Sequence, residues 1–369
     1  MKTPLISLLF FVIIIITTDA KAIIRFEDAT FPELVTSGRP LAMGNAFICK
    51  ADDASSVFYN PAGLGSVRLT HLHLNNFHLE ANKNLIDLSS GGNVSYIGEN
   101  ISKGFSFEGT RQLLIVNRGK MTHVRANAAP NLTTRYISIG YLYSLQKRAT
   151  IGIKEDALYE FSSRQDHGPF AGVTLALFGG ILKLGASGAY VNRKELLAER
   201  ERETPVEIED GEYQKGAAWI SMVGAKMTLP VALLPTVAVN SHNTFNSEFS
   251  QESDAGRPSK IRQSVDVGLS FTPQLGKFVR LHIEGNFKDA NNRFPEVSGT
   301  RKAMAGMELD LGRFLFLRAG YGDGFGSGGI GLKSRKLEFD LSTYAVDTTS
   351  NEFRGEEDRR FSMTVSAGI

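Results

Sequence analysis

The sequence predicts an all-β protein, a transmembrane antiparallel β-barrel of about 14 strands with a small N-terminal hatch. Three observations carry that expectation. Beyond the N-terminus no apolar run is long enough for a membrane helix, which needs roughly 20 such residues. From about Thr134 onward apolar and polar residues alternate with period 2, as in strands whose two faces meet different surroundings. The segments joining these runs are alternately short and long, which a membrane barrel shows and a soluble sandwich has no reason to show.

The first residues, 1–22, read as a secretory signal peptide. Lys2 precedes an apolar run from Leu5 to Ile16, and Ala20-Lys21-Ala22 forms a small-residue cleavage site. The chain is therefore expected outside the cytoplasm, beginning at Ile23. Cys49 is the single cysteine and has no internal disulfide partner. A net charge of +2 spread over 41 basic and 39 acidic side chains provides no field for nucleic acid. Abundant glycine, 37 residues, suits strands and turns.

The alternation places strands at 68–79, 134–146, 149–160, 170–178, 181–193, 216–228, 234–246, 260–272, 277–288, 300–311, 314–322, 328–333, 336–346 and 358–369. In 277–288, Val279, Leu281, Ile283 and Phe287 share one face, and Arg280, His282, Glu284 and Asn286 the other. A lipid-facing Arg or Lys at the midplane costs about 2–4 kcal/mol, so the charged parity must face the lumen. The same reasoning points Arg280, Glu284, Glu308, Asp310, Arg318, Glu338 and Asp340 inward, along with Lys183, Lys226 and Asp266. Such a set forms either a structural ion-pair network or a polar wall beside a solute path. An even strand count leaves both chain ends on the short-turn side, and closure removes exposed sheet edges.

Before the first strand, 23–67 contains the parts of the hatch, with the barrel occupying 68–369 and a long insertion at 80–133 of helical character. That insertion is expected outside, covering the mouth, binding ligand or folding back as structure. In the hatch, Asp52 or Asp53 is expected to cap a short helix. Pro61 disfavours helical geometry at Asn60, and Gly63 and Gly65 allow the chain to reverse. Arg39-Pro40-Leu41-Ala42-Met43-Gly44-Asn45-Ala46-Phe47, then Ala51-Asp52-Asp53-Ala54 and Tyr59-Asn60-Pro61-Ala62-Gly63-Leu64, resemble the N-terminal region of FadL/TodX-type outer-membrane channels. The broader superfamily includes the PorV-like proteins of type IX secretion.

The resemblance implies passive uptake of hydrophobic small molecules such as long-chain fatty acids across the outer membrane, with Asn60, Pro61, Ala62 and Gly63 in a luminal hatch. It also implies a sideways exit at a kink in the third strand. Alternation in 149–160 fails at Lys154, Glu155 and Asp156, where a bulge would keep Glu155 out of lipid, so these residues are the candidate lateral opening. The charged luminal parity, without an evident apolar set, points instead toward a PorV-like binding or secretion-accessory barrel. Its external loops, the charged 194–215 above all, would hold a protein partner.

Other signals carry less. Gly324–Gly329 matches G-x-G-x-x-G, but a strand pair follows where a dinucleotide site needs a helix. His71 and His73 share a strand face without a carboxylate or cysteine nearby, so no metal is expected. Ser270 and His282 both face the lumen, yet no nucleophile elbow exists and enzyme function is not expected. No cofactor is expected. The partners are outer-membrane lipid and a hydrophobic ligand.

Overall fold

The computed structural model describes residue 28 and residues 34–67, 71–90, 97–334, 336–349 and 353–368. The signal peptide lies outside them, as do the side chains of His71 and His73. No helix among the described residues is long and apolar enough to cross a membrane.

Fifteen strands form one antiparallel sheet. They are β1 (His71–Asn82), β2 (Met121–Ala128), β3 (Asn131–Thr133), β4 (Ile137–Ile151), β5 (Tyr159–Leu177), β6 (Leu182–Arg200), β7 (Gln214–Thr228) and β8 (Thr236–His242). There follow β9 (Ser264–Phe271), β10 (Val279–Phe287), β11 (Ala303–Leu311), β12 (Leu315–Gly322), β13 (Phe325–Lys333), β14 (Leu337–Asp347) and β15 (Glu357–Gly368). Leaving β3 aside, each strand neighbours the next, β2 pairing with β4, and β15 closes the ring on β1 from His73↔Gly368 to Asn82↔Arg360. The result is a closed barrel of 14 positions, with the short β3 an additional segment bonded to both β1 and β4. β3 continues the line of β2 beyond Pro130, which has no N–H to give the ladder but accepts from the Tyr141 amide at 3.1 Å.

Side-chain parity follows the bilayer. Ile137, Ile139, Tyr141 and Tyr143 point out of β4, while Ser138, Leu142 and Ser144 are buried inside. Val173, Leu175, Val237, Val239, Ile283, Met307, Leu317, Ile330 and Leu341 extend the outer apolar band around the ring. An aromatic girdle caps it on one side. Tyr141 stacks on His167 with centroids 6.3 Å apart, and Tyr190 lies 5.2 Å from Trp219, whose side chain is 66% exposed.

Above the girdle the outer face changes character. A spanning strand needs about 9–11 residues, whereas β5 and β6 have 19 each. The surplus stands outside the membrane, and its outer face is buried. Ala149, Ile151, Tyr159, Phe161 and Leu196 pack beneath Leu114 and Phe107 of a helix, Phe107–Val116. This helix, with Lys83–Ser90 and Ile97–Gly104, makes a skirt around the barrel wall; Leu85 and Val124 form its second contact. Ser106 caps the Phe107 helix through the Gly109 amide, and Glu108 joins it to the neighbouring loop by accepting from the Val206 amide at 3.1 Å.

Several expectations are corrected here. The insertion 80–133, expected outside, is not wholly so, since its last part is the second ring strand. Its helices clothe the outer wall. The expected strand 149–160 does not exist: β4 runs unbroken to Ile151, and residues 161–169, read as a long loop because they are polar, lie inside β5. One strand lost and one gained leave the ring total at 14. The polarity misled because above the membrane both faces of a strand are released from lipid.

Connections at one end are short, at 134–136, 178–181, 229–235, 272–278, 312–314 and 334–336. At the other end lie the skirt and the long segments 201–213, 243–263 and 288–302. One connection departs from the expected sorting, the tight Asp323-Gly324 turn at the long-loop end.

A closed barrel should migrate faster on a gel unheated than boiled. Acid should loosen the skirt helix from the loop at 201–207: hydrogen bonding to Arg111 holds the Glu108 carboxyl down at about 2. A folded-state value below the unfolded one of about 4.3 contributes stability above that value and loses it as pH falls. Hydrogen exchange at 106–116 and 201–207 should therefore rise between about pH 4 and pH 2, while the strand amides stay protected.

Candidate functional site

The barrel interior is occupied by residues 34–67, laid around the inside of the wall. Gly38–Ala42 and Ser56–Tyr59 are short helices, and Pro61–Ser66 is a 3-10 turn. The segment touches the strands in order. Thr36 accepts from Asn127 on β2, the Gly38 amide donates to Thr364 on β15, and Ser327 on β13 donates to the Ala42 carbonyl. Further round, Ser187 on β6 donates to the Val57 carbonyl, and Thr174 on β5 to that of Pro61.

A belt of inward-facing glycines makes this possible. Gly320 and Gly306 lie under Met43, Gly224 under Asn60, and Gly185 under Pro61 and Ala62; a Cβ at any of them would strike the hatch. Backbone lies on backbone there because the wall has no side chains in the way. At the bend between Met43 and Ala46 the chain turns left-handed, with φ of 61° at Gly44 and 66° at Asn45.

Asn60 binds the hatch to itself. Its Nδ2 donates to the Ile48 carbonyl at 3.0 Å, and its Oδ1 accepts the Ala62 amide at 3.1 Å. Pro61 opens the 3-10 turn, where its missing N–H costs nothing. Gly63 passes so close to the Ala51 carbonyl that no larger residue fits. Neither aspartate caps the helix Ser56–Tyr59 as expected. Asp53 accepts from the Ser55 amide at 2.9 Å in a local turn, and both Asp52 and Asp53 accept from Arg39 Nη1.

Charge fixes the hatch at two further points. Arg39 grips Glu308 of β11 with two donors, at 2.7 and 2.9 Å, and Glu284 of β10 accepts the Cys49 and Lys50 amides, each at 2.8 Å. Burial works against the Asp52 charge, but Arg39 and Lys50 outweigh it and hold that carboxyl well below the usual range. Apolar contact supplies the bulk of the adhesion. Met43, Phe47, Val57, Phe58, Tyr59 and Leu64 pack against Leu142, Phe170, Val191, Ile220 and Met222 of the inner wall. Each such side chain contributes about 1.5–3 kcal/mol when buried, so ion pairs set position more than they supply stability.

The structure places Glu284, Glu308, Asp310, Arg318 and Asp340 buried on the inner face, with Arg280 and Glu338 partly buried there. Arg318 joins Glu308 to Asp340, and Lys333 meets Glu338. Nearer the long-loop end the same pattern repeats in Arg193–Asp166, Arg164–Glu195 and the pair Arg148 and Arg360 on Asp28. Between hatch and wall a cavity of about 390 Å³ remains, lined by both signs from Arg39, Lys50 and Asp52 to Arg280, Arg318 and Asp340.

Lys154, Glu155 and Asp156 do not form a strand break. They lie in the turn between β4 and β5, clear of the bilayer, because the third ring strand ends at Ile151. His282 bonds Thr272 and Glu284 rather than Ser270. Of the glycine-rich residues 324–329 only Gly324 is turn; the rest lie in β13, and no helix follows. Among the described residues no His, Cys, Asp and Glu group has the form of a metal site. The apolar luminal set escaped the sequence reading, although Leu142, Val191 and Ile220 occupy inward parity within the expected strands 134–146, 181–193 and 216–228.

No family model and no curated protein sequence matches the chain. Solved structures do. The CymD monoaromatic hydrocarbon channel superposes with TM-score 0.50 at 11% identity, covering 89% of this chain and 96% of that one. A deltaS2 mutant of the TodX monoaromatic hydrocarbon channel gives 0.51 at 10% identity, covering 90% and 97%. The chain has the fold of these channels.

Gly224→Val should displace Asn60 from the wall and cost hatch docking about 1–3 kcal/mol, read as faster hydrogen exchange at 56–66 with the barrel still heat-modifiable. Arg39→Ala leaves carboxylates under-compensated and should weaken docking by about 3 kcal/mol, exposing Cys49 to a thiol reagent that the native protein resists.

Proposed function

We propose that the protein is an outer-membrane channel for passive movement of hydrophobic small molecules, with residues 34–67 as its hatch. The observation that carries this reading is the apolar set Phe47, Phe58, Tyr59, Leu142, Phe170 and Ile220 inside a lumen otherwise lined by paired charges. An apolar solute gains by leaving water for such surface, and needs no energy source to move down its gradient. The shared fold with two hydrocarbon channels supports the same reading. Passage requires the hatch to shift, since the apolar surface is covered by the hatch itself. Long-chain fatty acids and monoaromatic hydrocarbons both fit that chemistry, and no catalytic group is required.

Deleting the gene should slow uptake of labelled toluene or oleate severalfold, and restoring the intact chain should recover it. Unchanged uptake across such a panel would refute the channel and leave the partner-binding barrel as the better account, which pull-down with 201–213 intact and deleted would then test.

A further inference from the structure

Six arginines inside this barrel are paired. Arg39, Arg148, Arg164, Arg193, Arg318 and Arg360 each meet a carboxylate within 3 Å. Arg280, on the inner face at the short-turn end, and Arg313, exposed in the turn 312–314, are not. Among the described residues neither side chain has a hydrogen bond or ion pair. Asp310, which faces Arg280 across β10 and β11, turns an oxygen to the Arg313 amide at 2.7 Å instead.

These two arginines and Lys277 border a cleft of about 380 Å³ at the short-turn end, with Phe278 and Gly312 in its walls. Arg280, Asp310 and Arg313 also line the luminal cavity, which the cleft therefore adjoins. Around the cleft the rim is both basic and greasy. The described residues of the six short connections include Arg135, Lys277, Arg313 and Lys336 and no aspartate or glutamate. By contrast, 201–213 alone carries Glu201, Glu203, Glu207, Glu209, Asp210 and Glu212. Phe278, Leu275 and Phe314 at the rim are 76%, 61% and 59% exposed.

Apolar side chains at this density beside unpaired guanidinium groups match the boundary of a lipid leaflet, where acyl chain meets phosphate. β8, with 7 residues, and β9, with 8, are also shorter than a spanning strand of about 9–11. The connections 229–235 and 272–278 on either side of them are joined by the Thr272 amide donating to the Leu233 carbonyl. We infer that Arg280, Arg313 and Lys277 form a site for the phosphate of an anionic phospholipid in the periplasmic leaflet, its acyl chains lying against Leu275, Phe278 and Phe314. Guanidinium groups offer the fork of donors that a phosphate accepts. The site rests on the outer-membrane placement proposed above but not on transport.

The test uses the full chain in detergent, titrated separately with dioleoyl phosphatidylglycerol, dioleoyl phosphatidylcholine and inorganic phosphate, with bound species counted by native mass spectrometry. Phosphatidylglycerol should bind at least about tenfold more tightly than phosphatidylcholine, and Arg280→Gln with Arg313→Gln should erase that margin, a difference of about 1.4 kcal/mol. Arg257→Gln at the opposite end should leave it intact. Equal binding of the two lipids, an unchanged margin in the double variant, or inorganic phosphate binding as tightly as phosphatidylglycerol would overturn the site. If the double variant loses its heat-modifiable form, Lys277→Gln, an exposed turn substitution, should reduce the margin on its own; no reduction would equally overturn it. Uptake can fail while this binding persists, and the reverse, so the two proposals are separable.

Discussion

A bilayer offers no hydrogen-bond partner to a peptide group, and that deficit organises the whole molecule. The sheet closes through β15 on β1 because any open edge would leave a row of amides and carbonyls unsatisfied in lipid. Closure then creates a second problem, since a ring of 14 strands encloses more space than its own inward side chains fill. The N-terminal segment fills it, and the glycine belt at 185, 224, 306 and 320 is the mark left on the wall by that solution. Outside and inside of each strand are thus answerable to different demands.

Inside, polar and apolar adhesion divide the labour. The hatch is held mainly by Phe47, Phe58, Tyr59 and Leu64, whose burial is non-directional. Arg39 on Glu308 and Glu284 on two backbone amides are directional, and place the segment at one height and one rotation within the ring. A segment fixed in this way by few polar points over an apolar bed is well suited to leaving and regaining its place.

Parity in the second half of the chain was legible, because β9 to β15 have at most 12 residues and lipid imposes period 2 on nearly all of their length. Asn60-Pro61-Ala62 was legible as a turn, since Pro61 restricts Asn60 and Gly63 admits the close approach to Ala51. The first half was not. In β4 to β6 the residues beyond the girdle at Tyr141 and Trp219 meet the skirt helices or water, and Phe161–Pro169 has the composition of a loop while being hydrogen-bonded strand. Lys154, Glu155 and Asp156 were misassigned for the same reason, a frame shifted by one strand.

Local chemistry thus determined the class of molecule. Alternation, connection lengths and the cost of charge in lipid are properties of short stretches, and they suffice for a barrel, its approximate strand number and the inward direction of Glu308, Arg318 and Asp340. Tertiary structure decided what depends on distant residues meeting. Which glycines face the hatch, that Arg39 reaches Glu308 across 269 positions, and that Arg280 is left without a carboxylate all follow from strand register around a closed ring. Register is set by the sum of many weak pairings over the whole circumference, and no single segment contains it.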